Sequence, residues 1–208
     1  MTQTAAPWVP ERADIEKLKL AAEDCRGCEL WKPATQVVFS AGNPQAPLAL
    51  VGEQPGDAED RKGIPFVGPA GRLLQDALSD AQVPREDVYI TNAVKHFRFT
   101  ERGKRRIHAT PQVSHIKACR PWLEAELTLV DPALIVCLGA VAARSLLGTT
   151  FRVTQQRGQV LELATPIGVR RVLATVHPSS VLRATGEDRS AAFAGLVADL
   201  RTARAAVA

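Results

Sequence analysis

At 208 residues and 22.4 kDa, with 46% hydrophobic and 23% charged residues, the chain has the size and composition of one globular domain, which excludes wholesale disorder. No apolar run approaches the roughly 18 residues of a membrane span, and the first residues, MTQTAAPWVPERADIEKL, lack the basic start and apolar core of a secretory signal, so a cytoplasmic location is expected. The net charge is +4, and four cysteines in a reducing compartment point to metal binding, catalysis or core packing rather than to disulfides.

Glu11 to Asp24 carries Ile15, Leu18, Leu20, Ala21 and Ala22 at helical spacing and predicts a first helix. It is followed at once by the pair Cys25-Arg26-Gly27-Cys28. The run PLALVG over 47–52 predicts a buried strand, then a Gly/Pro-rich loop, and a helix from Gly71 to Ala81. A second strand is expected over Asp87 to Val94, and after it a basic loop spanning 95–109. Thr110-Pro111 reads as the cap and first turn of a helix towards Val130, kinked or divided by Pro121. Ala133 to Leu138 predicts a third strand and Ala140 to Leu147 a short helix. Strands at Gln159–Leu163 and Arg170–His177 bracket a turn at 165–168, and a last helix runs from Glu187 to Ala203. Strands alternating with helices predict a single α/β domain over residues 1–208, with helices flanking a mainly parallel sheet. In such a sheet the functional residues gather in the loops after the strand carboxyl ends.

Three of those ends carry unusual chemistry. The loop from Gly52 to Gly71 holds eight glycines and prolines, which lets backbone N–H groups approach a ligand. It lacks the Gly-Lys-Ser/Thr ending of a phosphate loop, and four acids between Glu53 and Asp60 would repel phosphate. A small neutral ligand fits better, with Phe66 available to stack on a flat ring. Asn92, at the second strand end, offers the donor and acceptor that suit a nucleobase edge. His177-Pro178-Ser179-Ser180, at the last strand end, places an imidazole where it can polarise a developing oxyanion. Each signal also has a plainer reading, as a crossover loop, a turn-forming Asn and a helix-entry turn. The basic loop adds a fourth: Lys95, Arg98, Arg102, Lys104, Arg105 and Arg106 face only Glu101, a local contact for a polyanion.

Taken together, these segments resemble the uracil-DNA glycosylase superfamily, and its iron–sulfur, family-4-like branch in particular. GEQPGDAEDRKGIPFVGPAGRLL is similar to that branch's first motif, HPSSVLR to its last, and the Cys25/Cys28 pair followed by a helix matches as well. The resemblance implies a three-layer domain with a central four-stranded, mainly parallel sheet. Two departures narrow it. His96 stands where that branch has a cysteine, and Gly103-Lys104-Arg105-Arg106-Ile107-His108 is inserted beyond it. Both features resemble UdgX-type members, which become covalently attached to uracil-containing DNA through the histidine of this loop.

On that resemblance, the partner is uracil-containing DNA, single-stranded and also double-stranded, bound by a monomer. Gly52, Gln54, Asp57, Phe66 and Asn92 form the base site. Phe66 stacks on the flipped uracil, Asn92 pairs with its edge, and the backbone around Gln54 adds hydrogen bonds. His177 stabilises charge on the departing base, and His108, with Glu53 orienting or deprotonating it, captures the sugar C1′. Lys104, Arg105, Arg106 and Ser179 contact DNA. A multiple-turnover glycosylase, in which the loop only grips DNA, is the alternative. Arg106→Ala is expected to weaken DNA engagement most at high salt. For the metal, Cys25 and Cys28 need two further ligands, and Cys119, Cys137, His96 and His115 are the candidates. Cys137 lies in the apolar run LIVCL and reads as core. Correspondence with the family selects His96 and Cys119, for a [4Fe-4S] cluster of structural role, with zinc on the same ligands as the alternative.

Overall fold

The computed structural model describes residues 4–148, 150–165 and 167–208. Eight strands and eight helices are described, in the order α1 (Ile15–Ala22), β1 (Ser40–Gly42), β2 (Leu48–Gly52), α2 (Asp57–Lys62), α3 (Pro69–Asp80), β3 (Val88–Asn92), β4 (Phe99–Arg102), β5 (Arg105–His108), α4 (Val113–Val130), β6 (Leu134–Leu138), α5 (Ala140–Leu147), α6 (Val153–Gln156), β7 (Val160–Thr165), β8 (Gly168–Thr175), α7 (Pro178–Arg183) and α8 (Gly186–Ala205). Six strands form one sheet in the order β1-β3-β2-β6-β8-β7, and β4 and β5 form a separate hairpin.

β3, β2, β6 and β8 pair in parallel, and all residues of β2, β3 and β6 are buried. Strands covered on both faces need continuous apolar runs, as LALVG and LIVCL supply. Alternate residues serve opposite layers. Ala49, Val51, Ile135 and Cys137 pack with Leu18 of α1 and Trp122 and Leu123 of α4. Leu48, Leu50, Leu134 and Val136 pack with Leu74 of α3, Val181 of α7 and Leu196 of α8. Because the four central strands are parallel, Gly52, Asn92, Gly139 and His177 all emerge at one edge of the sheet.

The expected four-stranded sheet is therefore the parallel core of a six-stranded mixed one. Its edges are the antiparallel β1 and β7. β1 has three residues, too few to show a period. The predicted basic loop is a hairpin that turns at Gly103, with φ of 60°, and pairs Arg102 with Arg105 and Phe99 with His108. Charged strands lack the apolar alternation that would have marked them. α4 begins at Val113 rather than Thr110, its start capped by a bond from the Gln112 N–H to His115 Nδ1, and it runs through Pro121 as one helix. The turn predicted over 165–168 includes Pro166, which lies outside the described residues. Among the described residues no helix is long and apolar enough to cross a membrane.

Candidate active site and cysteine pocket

At the carboxyl edge of the sheet lies a cleft of about 920 Å³ whose lining includes Glu53, Phe66, Asn92, His108, His177 and Arg183. Gly52 and Asn92 are register partners on β2 and β3. A Cβ on Gly52 would lie 2.3 Å from Asn92 Oδ1 and 2.7 Å from the Phe66 ring, so the missing side chain leaves those two groups adjacent. Phe66 adopts φ of +56°, and its carbonyl occupies the space a Cβ would need on Gly71. Asn92 is 2% exposed, and its Oδ1 is buried with no hydrogen-bond partner. Such an orphan acceptor is costly, and here it belongs to a residue that lines the cleft.

Two histidines line the same cleft. His177 caps α7: its Nδ1 accepts the Ser179 backbone N–H at 3.1 Å and lies 2.8 Å from the Ser179 hydroxyl. Burial, with His108 and Arg183 nearby, lowers its pKa to about 4. A neutral ring whose Nδ1 accepts carries its proton on Nε2, the nitrogen left for a ligand. Its ring stacks near Phe66 at 6.2 Å, and Gly139, with φ of +90°, leaves room for its Cβ. His108 ends β5 and is about half exposed, with Nε2 3.4 Å from Glu53 Oε1. Burial and Arg183 hold its pKa below the usual value. Burial raises that of Glu53, against the pull of Arg183. The structure thus brings Glu53, His108 and His177 into one cleft.

Other expected site residues serve the frame. Gln54 donates through Nε2 to the carbonyls of Arg98 and Ala109, at 3.0 and 3.1 Å, and accepts the Arg98 N–H at 3.1 Å. Its side chain clamps the base of the hairpin. Asp57 accepts from Arg106 Nε at 2.5 Å and Arg61 at 2.9 Å, which keeps its carboxyl below the ordinary pKa. Arg106 also reaches the fully buried Asp60 at 2.6 Å and lies over Phe97 and Phe99. It pins the hairpin to α2: the Nε and Nη1 of this residue, expected to contact DNA, are engaged within the protein. Ser179 likewise orients His177 and accepts from Arg183 at 3.2 Å, so its hydroxyl is committed within the site. Lys95, counted with the basic segment, is buried in an ion pair with Glu126. Of that segment's cations, Arg102, Lys104 and Arg105 are exposed.

Two more of the acids thought to repel phosphate are similarly occupied. Glu59 accepts the N–H groups of Gly56 and Gly68, at 3.1 and 2.7 Å, and clips the glycine-rich loop closed. Asp60 accepts the Thr35 N–H at 3.0 Å. Glu59 and Arg183 are site residues the sequence reading missed. Both stand inside the quoted motifs, where their residue types alone gave no role.

Cys25, Cys28, His96 and Cys119 line one small pocket behind α1 and α4, together with Lys95 and Trp122. Trp122 Nε1 donates to Cys25 Sγ and the Lys95 N–H to Cys119 Sγ, each at 3.3 Å. Burial lowers the His96 pKa to about 4 and pushes the Cys119 thiol up to about 12. Both nitrogens of the rival His115 are engaged, Nδ1 by the Gln112 N–H and Nε2 by Glu29 at 2.7 Å. Cys137 lies in β6, within the core. Among the described residues no three His, Cys, Asp or Glu side chains converge closely enough to hold a single metal ion.

Residues 39–201 match the family described as the uracil DNA glycosylase superfamily. The chain belongs to that superfamily. A type-4 uracil-DNA glycosylase of Thermotoga maritima is 38% identical over 170 residues, 81% of this chain and 83% of the relative. Proteins of the same name from Archaeoglobus fulgidus and Pyrobaculum aerophilum are 38% and 36% identical, over 76% and 82% of this chain and 78% and 85% of theirs. The matched residues include β2, β3 and β8, whose ends meet at the cleft.

Proposed function

We propose that this protein excises uracil from DNA by cleaving the N-glycosidic bond. The orphan Asn92 Oδ1, beside the Phe66 ring in a cleft that His177 also lines, carries the reading. A uracil presented by single-stranded DNA, or flipped from a duplex, offers its N3–H to that oxygen while Phe66 stacks on the ring. Cytosine has no N3–H and would leave the buried acceptor unpaired. As the C1′–N1 bond breaks, its electron pair leaves with the base, and the His177 Nε2–H donates to the charge gathering on O2. Glu53 then orients the water that attacks the oxocarbenium-like sugar. The names of the relatives support this turnover reading.

A second reading is favoured by one observation: His108 lies 3.4 Å from Glu53 in the same cleft. A neutral imidazole there can take the place of water and bond to C1′. The positive ring so formed sits beside the Glu53 carboxylate, and the protein acts once. A denaturing gel with excess uracil-containing oligonucleotide separates the two. Abasic product in excess of protein supports turnover. A uracil-dependent band that survives heat and detergent, mapped to His108, supports capture. Neither product would refute excision.

We also propose that Cys25, Cys28, His96 and Cys119 hold a [4Fe-4S] cluster. Three thiols and an imidazole line one pocket, and two N–H groups already donate to sulfur. Held by these residues, a cluster would tie the segment after α1 to α4 and the loop before the hairpin, a structural task, since glycosidic cleavage needs no electron transfer. Iron content and absorbance near ~400 nm test the assignment; one zinc per chain would overturn it.

A further inference from the structure

Adjoining Asn92 is an ion pair that the chemistry above does not use. Lys95, in the loop after β3, and Glu126, on α4, are in direct contact and are 1% and 0% exposed. Stability alone does not explain such a pair, because apolar residues of similar volume often serve as well. Its attachments are more informative. The Lys95 ammonium donates to Glu126, to Thr91 Oγ1 at 2.6 Å and to the main-chain carbonyl of Asn92 at 3.0 Å, which uses its three protons. Glu126 in turn accepts the Tyr89 hydroxyl at 2.8 Å and lies 3.0 Å from Thr91 Oγ1. The carboxyl half of β3 is thereby fastened to α4. The backbone N–H of the same lysine donates to Cys119, so residue 95 joins the cysteine pocket to the carbonyl of the base-reading asparagine.

The Asn92 Oδ1 itself is held by no hydrogen bond, so its place in the cleft depends on where the main chain puts it. On the cleft side that main chain is fixed by bonds from the Ala93 and Val94 N–H groups to the carbonyls of Gly52 and Glu53, each at 3.0 Å. On the opposite side the fixed point is Lys95. We infer that Lys95 and Glu126 are a positioning pair that sets the Asn92 amide against the uracil edge, and so sets the preference for uracil over cytosine. The inference rests on the proposed role of Asn92.

The test is the double variant Lys95→Met/Glu126→Leu, which removes both charges at nearly constant volume, alongside Glu126→Gln. Single-turnover uracil release, affinity for a uracil-containing oligonucleotide, the uracil-to-cytosine rate ratio, iron content and melting temperature would be measured on each. The double variant should fold, keep its metal and bind DNA within about twofold of wild type, because the exposed hairpin cations are untouched. Its uracil release should fall on the order of 10- to 100-fold, as a misplaced positioning group allows, with a narrowed uracil-to-cytosine ratio. A folded double variant with wild-type rate and ratio would overturn the inference. Should it lose its fold or metal, Glu126→Gln decides: a several-fold slower release with a narrowed ratio supports the pair, and wild-type values refute it. A wild-type protein that releases no uracil would instead remove the excision reading. The pair would then be judged by preference for uracil-containing over unmodified oligonucleotide, which the double variant should lower and which, if unchanged, would refute it.

Discussion

His177 and His108 face the same cleft, yet they are held in opposite ways. His177 is built into the domain: it follows a strand of the parallel core, caps a helix with Nδ1, and shares its surroundings with Phe66 and Gly139. His108 rides on a two-stranded hairpin outside the main sheet, fixed at the base by Gln54 and along one face by Arg106. Burial lowers the pKa of both. A donor that must meet charge developing on a base gains from rigid placement. A group that approaches the sugar need only arrive once the bond has opened. On the proposed reading, base recognition and departure fall to the ends of the parallel core, and the hairpin brings His108 beside Glu53.

Replacing each histidine should separate these roles. On the capture reading, His108→Ser abolishes the heat-stable adduct and leaves uracil release intact, with water admitted to the sugar. A crosslink that persists in this variant would take His108 out of the role. His177→Asn should slow uracil release by about 10² to 10³-fold, the usual consequence of removing one preorganised donor, while oligonucleotide affinity changes little. Equal slowing by both variants would dissolve the distinction between core and hairpin.

Gly52→Ala tests the core side from within. The added methyl meets Asn92 Oδ1 and the Phe66 ring, so release should slow more than tenfold and stability fall by about 1–3 kcal/mol through overpacking. Arg106→Ala tests the hairpin side. It leaves Asp60 buried without its cation, at a cost of about 3 kcal/mol in thermal or urea unfolding, and it loosens the hairpin. The salt dependence of DNA binding should stay unchanged, because Arg106 is engaged internally. Lys104→Ala and Arg105→Ala should each lower the slope of log affinity against log salt by about one unit without loss of stability. The reverse pattern would restore Arg106 as a phosphate contact.

The parallel core was legible because strands buried on both faces must be apolar without interruption, as at 48–52 and 134–138. The strand-end residues Gly52, Asn92 and His177 were legible because parallel topology collects such ends, and motif resemblance gave them roles. The internal pairing of Arg106 was not legible because a charge in a sequence does not declare its partner. Asp57 and Asp60, almost fifty residues earlier, decide that it points inward. Lys95 was misread for the same reason, with Glu126 as the distant partner. The hairpin escaped notice because its pairing is made by Phe99, Thr100 and charged residues, with Ile107 the other apolar member. The closeness of Glu53 and His108 depends on how that hairpin folds back, which no spacing encodes.

The smallest effect concerns pH, and it separates the two histidines once more. Protonation at a bonding nitrogen removes the lone pair that would attack C1′, so capture requires neutral His108. Its pKa lies below the ordinary histidine value and that of Glu53 above the ordinary carboxylate value. As pH falls from 7, the imidazole gains a proton and the carboxylate beside it loses its charge, and both changes act against capture. Adduct formation should therefore be flat above pH 7 and decline within the mildly acidic range. Protonation of His177, whose pKa burial lowers to about 4, would remove the Nδ1 lone pair that accepts the Ser179 N–H and sets the ring, so the limb for uracil release should fall at lower pH. Single-turnover release and adduct formation, followed in one set of samples from pH 4 to 9, give the two curves. Coincident acid limbs would mean that one titration governs both steps, and the independence of hairpin and core would fail.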